Sequence, residues 1–329
     1  RALDSDVRYD SALAHARGAL ALDPGLPDAH VALGEAHLIK DYAEAAYDHF
    51  RTALRLSPSH AGALRGLATA YEETGRVVDA LAALGRVIAV EPNVSQHRFE
   101  LGWTLLELEF FDRAEAAIRR AVELPPAGAA SPAADSAILG CGLARLRRVR
   151  RDTSGVRRHV ERLLDMQEAA PLARECALGY LLWLGDDGQA SRLMRKVLDE
   201  YELPSDGRAW MKIQLARAHR GTGRPELARP LLEDAEETFG ALRARSPELE
   251  DPLVALAAIH ALREERDEAV ALLRDAFRRH GLGVGARRLQ HDPLFRGLAG
   301  HPGYEALVEE MEADLQRMRR RAEREGLVG

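Results

Sequence analysis

The sequence predicts an all-α fold, a right-handed solenoid of about seven helical pairs with a C-terminal capping segment and helix. Three observations predict it. Pro24, Pro58, Pro92 and Pro126 follow one another at intervals of 34 residues, and the tails before them read ALALDP, ALRLSP, VIAVEP and AVELPP. Between them, small and large apolar residues recur at fixed places: Ala46, Phe50 and Ala53, then Ala80, Leu84 and Val87, then Ala114, Ile118 and Ala121. Finally, 46% hydrophobic and 30% charged residues describe an ordered, water-compatible chain, and no apolar run approaches the roughly 18 residues needed to cross a bilayer. A strict period of this length marks units that bury their apolar faces by stacking on one another.

The unit is plainest between Asp28 and Pro58, where two short amphipathic helices are joined by a tight turn. Leu33, Gly34 and His37 on the first helix face Ala46, Phe50 and Ala53 on the second, alternating in size as two interdigitating helices require. Pro58 ends the second helix because it cannot donate a backbone hydrogen bond and pushes its predecessor out of the helical region. Upstream, Ala12, Ala16, Ala19 and Pro24 fall in the second helix of a unit. Arg1 to Asp6 are therefore expected at the end of a missing first helix, as in a fragment of a longer protein. No signal peptide is read at Arg1.

Three regular units run from Pro27 to Pro126. A loop-type stretch follows from Pro125 to Pro132, and the period loosens. Ala133 to Val149 reads as a helix and Ser154 to Met166 as its partner, with Asp152, Thr153 and Ser154 offering an N-cap. Leu172 to Leu184 and Gln189 to Tyr201 form the next pair, with Leu178-Gly179 and Ala190, Met194 and Val197 matching the unit at one residue shorter. The frame returns with Leu215-Ala216, Ala228, Leu232 and Ala235, and again with Leu256-Ala257, Ala269, Leu273 and Ala276. The expected division is 1–126 for the regular units, 127–208 for degenerate pairs, 209–283 for two further units and 284–329 for the cap and helix, all in one continuous solenoid. In the cap, Leu294, Phe295, Leu298 and Tyr304 would cover the apolar surface of the last repeat.

Residue class by residue class, these units resemble the tetratricopeptide repeat family. Leu33-Gly34, Leu67-Ala68 and Leu101-Gly102, the small-residue ladder and the prolines carry the resemblance. It departs where that family usually has Trp and this chain has His30, Leu64 and Arg98. The closing segment, with Asp292-Pro293, Phe295, Leu298, Pro302, Tyr304 and Leu307, resembles the end of repeat regions attached to bacterial signalling proteins with winged-helix, kinase or cyclase domains. The resemblance implies a non-catalytic interaction or sensing module of a larger bacterial regulatory protein, holding a partner segment in a concave groove lined by the first helices. A structural subunit or scaffold of a stable complex is the alternative. The groove positions include Glu35, Arg65, Phe99, Trp103, Tyr180, Trp183, Trp210 and Arg217 as partner-binding candidates. All three tryptophans of the chain fall among them, either as recognition anchors or as packing against neighbouring helices. The implied location is cytoplasmic, or periplasmic if a membrane-spanning helix lies upstream.

Catalysis finds little footing. Gly281-x-Gly283-x-x-Ala286 follows a helix rather than a strand, so a helix C-cap is the better reading than a dinucleotide site. His30 and His37 share a helical face without a third ligand in sequence, and neither a metal nor a cofactor is expected. A formal charge of −6 is too mild to demand nucleic acid or a membrane surface. Arg145, Arg147, Arg148, Arg150, Arg151, Arg157, Arg158 and Arg162 form the densest basic stretch but lack interleaved aromatics for base stacking. Cys141 and Cys176, the only cysteines, have no zinc-like or redox-motif spacing and say little about compartment. Leu307, Met311, Leu315, Met318 and Ala322 form an apolar stripe on the final helix, which either docks on the last repeat or pairs with a second copy.

Overall fold

The computed structural model describes residues 2–39, 42–124, 141–142, 144, 152–165, 170–247, 251–280, 289 and 292–328. Among them are fifteen α-helices and no strand, in the solenoid arrangement of helical pairs. They fall into two compact units: 1–129 with 315–329, and 130–314.

In the first unit, α1 (Ala2–Leu22) is followed by three pairs: α2 (Pro27–Ile39) with α3 (Ala43–Leu56), α4 (Ala61–Glu73) with α5 (Val77–Val90), and α6 (Ser95–Glu107) with α7 (Phe111–Glu123). The ladder is the core, as the period requires. Ala46, Phe50, Ala53, Ala80, Leu84, Val87, Ala114, Ile118 and Ala121 are all buried. Phe50 needs glycine on both sides: a Cβ at Gly34 would lie 2.6 Å from its ring, and one at Gly66 would lie 2.3 Å from it. Gly102 meets Ile118 in the same way, at 2.6 Å. These contacts set how closely the helices approach.

Residues 2–6, expected at the end of a separate first helix, instead continue α1, which at 21 residues is longer than the other second helices of this unit. Nothing in that stretch breaks a helix: it holds neither glycine nor proline.

Among the described residues, the turns after α4 and α6 close through a residue in the left-handed region. Gly75 takes this place after α4, whereas Glu109 adopts it after α6 at φ 57°. The following amide then reaches back, Arg76 N–H to the Tyr71 carbonyl and Phe110 N–H to the Leu105 carbonyl, satisfying carbonyls that the helix end would otherwise leave bare. Arg76 also lies over the rings of Tyr47 and Tyr71, 5.2 and 4.5 Å from their centroids.

The second unit holds α8 (Thr153–Asp165), α9 (Ala170–Leu184) with α10 (Asp187–Glu200), α11 (Ser205–Gly221) with α12 (Pro225–Arg245), and α13 (Asp251–Leu262) with α14 (Arg266–His280). Asp152 caps α8 by accepting from Gly155 N–H at 2.8 Å. Of the helix expected over 133–149, only 141, 142 and 144 are described, and they are helical; the rest lies outside the described residues, as does the Gly281–Ala286 stretch. The matching residues Ala190, Met194, Val197, Ala228, Leu232, Ala235, Ala269, Leu273 and Ala276 are buried.

A 3₁₀ turn (Pro293–Leu298) packs on α13 and α14 and buries Leu294, Phe295 and Leu298, with Tyr304 buried beside them. Arg266 and Arg274 donate to the Ala299 and Gly303 carbonyls at 2.6 and 3.1 Å, fastening this cap to α14. The last helix, α15 (Pro302–Arg324), belongs to the second unit through Asp314 and to the first from Leu315. In the first unit Arg321 pairs with Asp79 at 2.5 Å, and Arg319 lies 5.1 Å over the Phe110 ring and 3.6 Å from Glu109. Leu307, Met311, Leu315 and Ala322 are buried and Met318 is partly exposed.

Candidate functional site

In the first unit, the first helices carry a polar face. Positions 65, 69 and 72 recur at steps of four and three, so Arg65, Thr69 and Glu72 share one side of α4. Arg65 donates to Glu35 of α2 at 2.9 Å, and both side chains stay about half exposed. One unit further, Thr104 of α6 donates to Glu72 at 2.6 Å. The faces of α2, α4 and α6 are thus contiguous, tied helix to helix by single hydrogen bonds.

Charge accumulates at the α4 to α6 end of this face. Burial of its carboxyl pushes Glu72 up to about 7; the Thr104 hydrogen bond opposes this, and the nearby Glu100 and Glu107 charges reinforce it. The residue as a whole keeps contact with solvent, which tempers the electrostatic cost. Glu100 in turn accepts from Gln96 at 2.9 Å. Beside the carboxylates, Trp103 stands edge-on to Phe99 with centroids 5.6 Å apart. Phe99 is buried and Trp103 is partly exposed. Val31 of α2 lies in a buried core cluster with Phe50 and Leu67.

The candidates of the second unit are placed differently. Tyr180 is buried and donates its hydroxyl to the Cys141 carbonyl at 2.6 Å. Trp183 packs at the margin of the second unit's core. Trp210 lies edge-on to the buried Phe239 at 6.3 Å. Arg217 is 8% exposed and forms a close ion pair with Asp187 at the start of α10. A Cβ at Gly221 would collide with the Asp187 carboxylate, so glycine there is what admits it. Burial pushes the Arg217 guanidinium down and Asp187 opposes that shift. Sequence reasoning missed Asp187, since nothing in the 34-residue frame marks a partner 30 positions away.

His30 and His37 gain a third member in His49 on α3. His37 and His49 stack with centroids 5.4 Å apart and planes 7° apart, and His30 lies 5.8 Å from His49. Tyr9 contacts His37 Nδ1 at 3.4 Å. Parallel rings direct their nitrogen lone pairs along parallel planes rather than toward a shared point. Among the described residues no group of three or more His, Cys, Asp or Glu side chains converges as metal ligands. Of the basic stretch, Arg157, Arg158 and Arg162 are exposed on α8, and Arg157 lies 3.8 Å from Asp186. Arg145 to Arg151 lie outside the described residues. No helix among the described residues is long and apolar enough to cross a membrane.

Residues 7–61 and 40–99 each match a tetratricopeptide repeat family model. Tetratricopeptide repeats are thus matched over residues 7–99. The matched stretches span the first unit's pairs through the start of α6, where the ladder and its prolines are strictest. No curated protein sequence matches the chain. Among solved structures, a tetratricopeptide repeat protein from Parabacteroides merdae is 18% identical, with a TM-score of 0.57 over 70% of this chain and 86% of that one. PilW, described as a widely conserved type IV pilus biogenesis factor, is 16% identical with a TM-score of 0.50, covering 70% of this chain and 98% of its own. At such identities the likeness is one of fold. Tetratricopeptide repeats generally mediate protein–protein interactions.

Proposed function

We propose that the first-helix face of α2, α4 and α6 receives an extended or helical segment of a partner protein, as a non-catalytic recognition module of a larger bacterial regulatory protein. The observation that carries this reading is the contiguity of that face: Glu35 with Arg65 and Glu72 with Thr104 join three successive units, and the partly exposed Trp103 stands beside them. An aromatic ring flanked by polar groups is what a recognition surface uses, because it buries much area at low side-chain entropy. Carboxylates at 72, 100 and 107 favour a segment with a positive charge near the Trp103 ring. Tyr180 and Arg217, whose polar groups are bonded internally, serve the second unit's own packing under this reading.

Affinity capture with the intact chain, run beside Trp103→Ala, tests it. The captured segment should bind the variant more weakly by about 2 kcal/mol or more. Undiminished affinity in a variant that still folds would sink the reading.

A second reading, a subunit held permanently in an assembly, is favoured by one observation. Leu22, Leu56 and Val90, each two residues before a repeat-ending proline, are all exposed, at 91%, 45% and 42%. Apolar residues repeated on the outside of successive units suit a constitutive contact.

A further inference from the structure

Cys141 and Cys176 are the chain's only cysteines, and both are consumed in one disulfide with Cα atoms 5.8 Å apart. Sequence spacing gave no cause to pair them, because 35 residues and an intervening helix separate them. The fold supplies that cause. Both side chains belong to the same apolar cluster of the second unit, Cys141 inside it and Cys176 at its margin, with Ala177, Leu178, Leu181 and Met194 around them. A hydrogen bond ties the same two stretches: Tyr180, one turn beyond Cys176 on α9, donates to the Cys141 carbonyl at 2.6 Å. The staple falls where the 34-residue period lapses. With no third cysteine in the chain there is no internal thiol to reopen it.

We infer that the cross-linked form is the working state of this chain and that the second unit matures in a compartment that oxidises thiols, outside the reducing cytosol. Disulfides of this structural kind form and persist in such compartments and are rare in the cytosol. Of the two locations compatible with the sequence, this is the periplasmic one. The oxidant is a dithiol–disulfide oxidoreductase in its disulfide form. The thiolate of Cys176, the less buried of the two, attacks one oxidant sulfur, forming a mixed disulfide and releasing the other oxidant sulfur as a thiolate. Cys141 displaces the remaining oxidant sulfur and the intramolecular bond closes. Two protons and two electrons leave the pair, and the oxidant departs as a dithiol. Because Cys141 is only 4% exposed once folded, exchange at its sulfur precedes closure of the cluster.

The test has two arms. Cells that make the protein are quenched with acid and alkylated, and the chain is mapped without reduction. A cross-linked peptide pair containing Cys141 and Cys176, with neither alkylated, is expected; both cysteines alkylated in most of the recovered protein would overturn the inference. In the second arm, hydrogen exchange is followed on the purified full chain with and without a reductant, and on the Cys141→Ala/Cys176→Ala variant. Reduction and the double substitution should each speed exchange in α8 to α10 by roughly tenfold or more, leaving α3 to α5 unchanged. Equal exchange in the oxidised and reduced chains would show that the bond holds nothing and would also overturn it.

Discussion

Phe50 offers the sharpest trial of the repeat packing. Its ring is fully buried, and its nearest facing positions are Gly34 and Gly66, which have no side chains that could fill a vacated space. Burying an aromatic ring of about 150–250 Å² at about 25 cal/mol per Å² sets a scale of roughly 4–6 kcal/mol. Phe-to-Ala changes in cores cost about 3–5 kcal/mol, and the poor collapse available here places Phe50→Ala at the upper end. The companion is Gly66→Ala. In the parent its Cβ would lie 2.3 Å from the ring, an overlap worth about 1–3 kcal/mol that outweighs the gain of about 1 kcal/mol from replacing a helical glycine. With Phe50 already cut back the overlap is gone and only the gain remains. Gly66→Ala should therefore destabilise the parent and stabilise Phe50→Ala. Urea unfolding of the four chains in a double-mutant cycle measures this coupling. The same sign and size in both backgrounds would refute the packing account.

Three further outcomes are expected. Glu264 sits in the left-handed region at φ 69°; Glu264→Gly relieves about 1 kcal/mol and gives up only its exposed pair with Arg220, so thermal unfolding should show a small net gain, and a loss would contradict the turn assignment. Arg217→Met strands Asp187 without its buried partner and should cost about 3–5 kcal/mol in the second unit; a change below about 1 kcal/mol in chemical denaturation would show the pair to be solvated. The histidine stack gives a pH dependence. Burial, then Arg17, holds His37 below the usual histidine range; burial, then His37 and His30, does so for His49 against the opposing Asp48 charge. A depressed folded-state value ties the neutral form to the fold, so this contribution is complete above about 6.5 and is lost as the pH falls below it. Glu72, raised to about 7 from an ordinary 4.5, acts with the opposite sign between those values. The informative quantity is thus the difference between the parent and His49→Gln: the parent should lose more stability from pH 7.5 to 5.5, and parallel profiles would dismiss the stack.

Much of the fold was legible because its cause is periodic. Ala46, Phe50 and Ala53 repeat every 34 residues with their counterparts through Ala121, and the matching residue classes of the later units are buried at other spacings. The cap was legible too, since Leu294, Phe295, Leu298 and Tyr304 are a concentrated apolar run beside a unit that would otherwise end wet. What the sequence did not disclose depends on partners with no fixed spacing. His30 and His37 signalled themselves on one helical face, but His49 joins them from the next helix, three residues after the ladder position Ala46. Arg217 reads as a groove residue by frame, and only the approach of Asp187 past Gly221 turns it inward. The stripe of α15 was plain as a stripe. That its last turns engage Asp79 and Glu109 follows from ion pairs more than 200 positions apart in sequence.

Site-specific photo-cross-linking tests the recognition claim most directly. A photoreactive residue is placed at Thr69, on the first-helix face between the Glu35–Arg65 pair and Glu72, and in a separate chain at the exposed Leu56. Illumination with the captured partner should yield an adduct from position 69 and none from position 56. An adduct from position 56 alone would contradict recognition by the first-helix face and would favour the outward apolar row.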